Sequence, residues 1–95
     1  MKKLLIIDDE RPILEMLEIS LISEGYDVFT AESGKAGLEI FGQENPKLIL
    51  TDIKMPGMDG IEVLKRIKEK DSEAEVIVIT GHGDMDSAVA ALRGG

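Results

Sequence analysis

The feature that most constrains this chain is a repeated alternation of short apolar runs with longer amphipathic segments. Uninterrupted apolar runs predict strands covered on both faces, whereas apolar residues three or four apart predict helices. Strands are predicted over residues 4–7, 26–30, 47–51 and 75–80, and helices over about 12–24, 33–41, from 59 and from 84. This order favours an α/β fold, a doubly wound parallel sheet with right-handed crossovers and helices on both sides.

Composition excludes several classes of function. The 95 residues carry 19 acidic and 11 basic side chains, a formal net charge of -8, which argues against nucleic-acid or anionic-membrane partners. With no cysteine there is no disulfide, thiolate metal site or cysteine nucleophile. The apolar start "MKKLLII" is broken by "DDE" too early for a secretory signal, and no run approaches a membrane span. We therefore expect a cytoplasmic protein.

Acidic residues follow two of the predicted strands. Asp8 and Asp9 come directly after the first strand, and Asp52 follows the third. Ligands of open α/β sheets bind beyond the carboxyl ends of the strands, so the three carboxylates converge there if these strands are neighbours. Two unit charges ~4 Å apart repel by roughly 4 kcal/mol at an effective dielectric near 20. Either protons or a cation must offset this repulsion, and hard oxygen ligands favour Mg²⁺.

Each acid also has a simpler explanation. Asp9 or Glu10 could simply favour the first turn of the following helix, and a single aspartate after a strand, such as Asp52, is more often a solvated turn residue. The turn "MPGMDG" after Asp52 is explained locally by Pro56 and Gly57, with Asp59 as a helix cap. The coincidence of two strands that end in acids at one edge is what favours a functional site.

Three segments, "LLIIDDE", "LILTDIKMPGMDGIEVL" and "VIVITGHG", in this order and at these separations, resemble the CheY-like receiver domain of two-component response regulators. The resemblance implies a flavodoxin-like sheet and phosphoryl transfer from a histidine kinase or phosphotransfer protein. It implies that Asp52 is the phosphoacceptor and that Asp8, Asp9, Asp52 and the backbone carbonyl of Lys54 hold Mg²⁺. It also implies that Thr80 is the switch hydroxyl, which binds the phosphoryl group. Receivers of this kind are mostly substrates, with at most slow autophosphorylation and autodephosphorylation.

The sequence departs from the family pattern at its C-terminal end, "ALRGG". Receivers normally continue into a fifth strand, which carries a lysine that contacts the phosphoryl group, and a fifth helix. We therefore interpret residues 1–95 as one receiver domain, incomplete at its C-terminus, with strand order 2-1-3-4. Strand four, apolar and β-branched, is then an edge that favours self-association.

Two other functions compete with the phosphoacceptor. A phosphatase with an aspartate nucleophile needs a second aspartate two residues later, and Lys54 occupies that position. A receiver fragment that is never phosphorylated and acts as an interaction module is the other alternative. Neither a nucleic acid nor a membrane is expected as a partner of this domain alone.

Overall fold

Residues 2–79 are described by the computed structural model, and they form four strands and three helices in strict alternation. The elements, in chain order, are β1 (Lys3–Ile7), α1 (Arg11–Ser23), β2 (Asp27–Ala31), α2 (Gly34–Glu44), β3 (Leu48–Asp52), α3 (Gly60–Lys70) and β4 (Glu75–Ile79). The strands lie within a residue of their predicted positions. The predicted fourth helix lies outside the described residues.

All four strands are parallel, and their order across the sheet is β2-β1-β3-β4. The predicted α/β class and strand order are therefore confirmed. Because β1 and β3 are neighbours and run in the same direction, the residues that follow them emerge at one edge of the sheet. Ile7 at the end of β1 is paired with Thr51, the residue before Asp52.

The sheet separates two apolar layers, as expected for helices on both faces. Leu4 and Ile6 of β1 point towards α1, while the alternate residues Leu5 and Ile7 point towards α2 and α3. All four side chains are at most 1% exposed. At roughly 1.5–3 kcal/mol for each buried aliphatic side chain, this central strand anchors both layers and holds its carboxyl end in place.

The helix ends follow local sequence rules. The Ser33 hydroxyl oxygen accepts a hydrogen bond from the Ala36 amide at 3.1 Å, and Asp59 Oδ1 accepts one from the Glu62 amide at 2.9 Å. Both are N-cap interactions that the sequence predicts. Within residues 2–79, no helix has the length and apolar character needed to cross a bilayer.

One detail of α3 differs from the sequence prediction. The helical spacing of Ile61, Leu64 and Ile67 predicts that these three residues face the core. In the structure Ile61 is 39% exposed, and the buried residues are Gly60, Val63 and Ile67. The helix is rotated so that Gly60 meets the end of β3, which carries Ile61 towards solvent.

Candidate functional site

Three carboxylates meet at the carboxyl edge of the sheet. One oxygen from each of Asp8, Asp9 and Asp52 lies within 4.8 Å of the other two. Asp8 is only 3% exposed, Asp52 is half-buried, and Asp9 is exposed. The sequence predicted this convergence, and the pairing of β1 with β3 produces it.

Asp8 is fixed from two directions. Its amide donates a hydrogen bond to the Ala31 carbonyl at 3.1 Å, and its Oδ1 accepts one from the Glu10 amide at 2.9 Å. Burial raises the pKa of Asp8 above its ordinary value, the hydrogen bond from Glu10 opposes this, and the nearby charge of Asp52 raises the pKa further. The charged form of Asp8 is therefore disfavoured, first by burial and then by its negative neighbours.

Asp52 is the last residue of β3, with its side chain reaching the edge of the sheet. Its Oδ1 accepts a hydrogen bond from the Ile53 amide at 2.8 Å. The same amide also donates to the Ile79 carbonyl of β4 at 3.0 Å. The carboxylate is thus tied to the backbone through one oxygen, and its half-buried position leaves part of it open to solvent.

The loop after Asp52 turns the chain sharply towards α3. Lys54 is exposed, Met55 is 8% exposed, and Gly57 adopts a φ of 78°, a left-handed conformation that favours glycine. An open groove of about 550 Å³ runs along this loop. Its lining residues are Ile53, Lys54, Met55, Pro56, Asp59 and Ile61.

Two residues at the site were not predicted from the sequence. Gly60, the first residue of α3, packs so closely that a Cβ built on it would lie 2.2 Å from the carbonyl oxygen of Asp52. The hydroxyl of Thr51, which is 1% exposed, donates a hydrogen bond to the same oxygen at 3.0 Å. A glycine just after a good N-cap is the available sequence signal, because it weakens the helix unless close packing requires it.

The donor set suits a hard divalent cation. The three acids offer only oxygen ligands, which Mg²⁺ prefers. The pKa of Asp8 is raised first by burial and then by the neighbouring negative charges, and a bound cation would offset both effects. Lys54 lies two residues beyond Asp52 in an exposed loop. Thr80, predicted as the switch hydroxyl, lies outside the described residues.

The order β2-β1-β3-β4, with three acids at its carboxyl edge, is accompanied by a family match. Residues 4–95 match the model of the response regulator receiver domain. The chain belongs to the response regulator receiver family. Its members are phosphoacceptor domains of two-component signalling, and that is the role of this receiver.

Individual relatives agree with this assignment. The receiver is 45% identical over 85 residues to sporulation initiation phosphotransferase F of Bacillus subtilis. The match covers 90% of this chain and 68% of the relative. It is 41% identical over 90 residues to the DNA-binding transcriptional regulator NtrC of Klebsiella pneumoniae, covering 95% of this chain. The match spans only 19% of NtrC.

Solved structures share the fold. The response regulator protein TrrA of Thermotoga maritima, in complex with Mg²⁺-BeF, matches with a TM-score of 0.82 and 38% identity, over 98% of this chain and 81% of that chain. A chain from the complex of histidine kinase ThkA with TrrA matches with a TM-score of 0.80 and 42% identity, over 86% of this chain and 72% of that chain.

Proposed function

We propose that Asp52 is the residue that accepts the phosphoryl group, from a histidine kinase or a phosphotransfer protein. The observation that carries this proposal is the gathering of Asp8, Asp9 and Asp52 within 4.8 Å at the carboxyl edge. Of the three, Asp52 is half-buried at a strand end and is held through one oxygen by the Ile53 amide at 2.8 Å. That arrangement orients the carboxylate for attack on phosphorus without closing it off from a donor.

Asp8, Asp9, Asp52 and the backbone carbonyl of Lys54 would hold Mg²⁺. When bound, the ion offsets negative charge on the carboxylates and on the phosphoryl oxygens. Asp8, the most buried of the acids, contributes a fixed oxygen because its Oδ1 is anchored by the Glu10 amide. The Mg²⁺-BeF complex of TrrA supports this assignment by similarity.

We propose that the phosphoryl transfer is a single displacement. A carboxylate oxygen of Asp52 forms a bond to phosphorus while the bond from phosphorus to the donor nitrogen breaks, and the electron pair stays with the donor. The product is an acyl phosphate. Autophosphorylation from small phosphodonors and autodephosphorylation are proposed to be slow, because the described site offers Asp52 as a nucleophile but Lys54 where a second acid would serve turnover.

The decisive experiment is Mg²⁺-dependent labelling of the 95-residue chain with a small acyl phosphate. We expect a single phosphoryl group on the wild-type chain and none on Asp52→Asn. Asp59→Asn is the matched control, because it removes one carboxylate from the same loop while asparagine keeps the cap to Glu62. Labelling that survives in Asp52→Asn contradicts the assignment.

The partner is proposed to dock on the exposed apolar face of α1. Met16, Ile19 and Ile22 are 51%, 70% and 53% exposed, on the side of the helix opposite the buried Leu14 and Leu17. The helix begins two residues after Asp9, and its exposed apolar face starts at Met16, five residues after Arg11. Exposed apolar faces of this kind mark interaction surfaces, and the ThkA–TrrA complex supports a histidine kinase as the class of partner.

Docking and chemistry are separable by experiment. We expect Ile19→Ser to slow phosphorylation by a kinase at least tenfold, while labelling by the small acyl phosphate stays unchanged. An equal effect on both donors would contradict the docking role of α1.

Self-association through β4 remains a second proposal. Among the described residues β4 is paired with β3 alone, and Val76, Ile77 and Val78 on it are half-buried. A polypeptide of residues 1–95 is expected to associate at rising concentration, and analytical ultracentrifugation that finds a folded monomer throughout contradicts this. Three expectations from the sequence stay predictions. They are a cytoplasmic location, one domain over residues 1–95, and the role of Thr80 as the switch hydroxyl.

A further inference from the structure

The carbonyl of Asp52 is enclosed more tightly than its role as a strand residue requires. The buried Thr51 hydroxyl donates to it at 3.0 Å. The Cα of Gly60 also lies against it, so close that a Cβ there would be 2.2 Å from the carbonyl oxygen and 3.0 Å from the carbonyl carbon. The Gly60 amide also donates to the Ile53 carbonyl at 2.9 Å.

We propose that Gly60 and Thr51 are positioning residues that set the place of the Asp52 carboxylate by clamping its backbone. This inference rests on the proposed role of Asp52 as the phosphoacceptor. The backbone of Asp52 and Ile53 is held by α3 through Gly60, by the Thr51 hydroxyl, and by β4 through the hydrogen bond from Ile53 to Ile79. The backbone position also sets the position of the Asp52 side chain, because its Oδ1 accepts a hydrogen bond from the Ile53 amide.

The contact at Gly60 differs from those of other buried glycines. A Cβ on Gly37 would meet side-chain atoms of Ile7, Cδ1 at 2.4 Å and Cγ1 at 2.8 Å, and a side chain can adjust with less displacement of the backbone. A Cβ on Gly60 would instead meet backbone on three atoms, including the Ile53 Cα at 2.8 Å. Ordinary contacts begin at about 3.4 Å, so α3 and the end of β3 must separate by about 1 Å. A misplacement of ~1 Å at a reacting group can cost about 100-fold in rate.

The test compares Gly60→Ala with Val63→Ala. Val63 is fully buried on the same helix, so its truncation lowers stability without adding an atom beside Asp52. At a temperature where both variants are folded, we expect Gly60→Ala to lower the maximal rate of labelling by acyl phosphate about 100-fold. Val63→Ala should stay within about twofold of the wild type. The proposal would be overturned if the two variants were labelled at equal rates when each is measured the same number of degrees below its own melting temperature.

A second readout does not depend on phosphorylation. In ¹H–¹⁵N spectra of the labelled chain, the Ile53 amide reports its hydrogen bond to Asp52 Oδ1. We expect this resonance to move in Gly60→Ala and to stay in place in Val63→Ala; an unmoved resonance in Gly60→Ala contradicts the clamp. If the wild-type chain takes no label, the proposed phosphoacceptor role fails, while the resonance still tests the clamp.

Thr51→Val covers the case in which Gly60→Ala does not fold. The substitution keeps the shape of the side chain and removes the hydroxyl that donates to the Asp52 carbonyl. We expect a smaller loss of labelling rate, about tenfold, with the Ile53 resonance displaced in the same direction. A rate equal to the wild type in a folded Thr51→Val chain would overturn the role of Thr51.

Discussion

At the amino edge of the sheet two acidic side chains have cationic partners, whereas at the carboxyl edge Asp8, Asp9 and Asp52 lie beside one another. The carboxyl edge also carries an exposed ion pair, between Arg11 and Glu32. On the amino side, Lys3 forms an ion pair with Glu44 and Lys47 forms one with Asp71. The side-chain hydrogen bond from Lys47 lowers the pKa of Asp71, while burial raises that of Asp8. An aspartate thus stabilises the folded chain at the amino edge, whereas charged Asp8 destabilises it at the carboxyl edge.

This difference indicates which edge is organised for function. Loops at both edges connect the same strands and helices, so connectivity alone does not require charge to be paired at one edge and concentrated at the other. A concentration of like charge costs stability unless a cation or a ligand relieves it.

Asp8→Asn should produce the largest change, with opposite signs for activity and stability. Asparagine can still accept the hydrogen bond from the Glu10 amide, but it removes a buried charge. Because a bound metal ion is worth several kcal/mol of charge stabilisation, labelling should fall roughly 100-fold or more. The melting temperature without Mg²⁺ should rise, by about 4–8 °C for each kcal/mol relieved. Labelling assays and calorimetric melting measure the two effects; a lower melting temperature would contradict the contrast.

Addition of Mg²⁺ should stabilise the wild-type chain. A ligand that binds only the folded state adds about 2.7 kcal/mol at 100 times its dissociation constant. The gain should be lost in Asp8→Asn and retained in Asp71→Asn, because only the former removes a proposed ligand. Denaturant titration at fixed ionic strength, with and without Mg²⁺, provides the measurement. A gain that persists in Asp8→Asn would show that the ion binds elsewhere.

The pH dependence of the two edges should run in opposite directions. Asp8 has a raised pKa in the folded state, so the folded chain holds its proton more tightly and this contribution to stability is lost as pH rises from about 3.8 through the folded pKa. Asp71 has a lowered pKa, so its contribution is present above about 3.8 and is lost as pH falls through the folded pKa. The advantage of Asp8→Asn over the wild type should therefore be largest at neutral pH and vanish in acid, as urea titrations across pH would reveal.

The carboxyl side of this contrast is visible in the sequence, whereas the ion pairs of the amino edge were not predicted. The strand positions predicted that Asp8, Asp9 and Asp52 would meet, because carboxyl ends of parallel strands share an edge. The sequence does not predict that Asp8 is only 3% exposed while the adjacent Asp9 is exposed, because burial depends on how the loop after β1 packs. The neighbouring order of β1 and β3 came from the family resemblance rather than from residue patterns.

The packing of α3 was harder to predict, for a physical reason. Apolar residues at Ile61, Val63, Leu64 and Ile67 allow more than one helical face to point inwards. The choice is made by Gly60, which approaches the backbone of Asp52 and so fixes the rotation of the helix. A contact between a glycine and a backbone carbonyl has no hydrophobic pattern, so periodicity could not find it.

The smallest effect is expected at the paired edge, from Asp71→Asn. Asparagine can still accept from the Glu73 amide, which Asp71 Oδ1 does at 3.0 Å, but the ion pair with Lys47 becomes a neutral contact. Exposed ion pairs contribute little, so the melting temperature should fall slightly at neutral pH, less at high salt and not at all in acid. Mg²⁺ affinity and labelling should equal those of the wild type, which isothermal titration and the acyl phosphate assay would measure. If Asp71→Asn were more stable than the wild type at neutral pH, charge repulsion would be present at the amino edge as well. The difference between the two edges would then no longer identify the site.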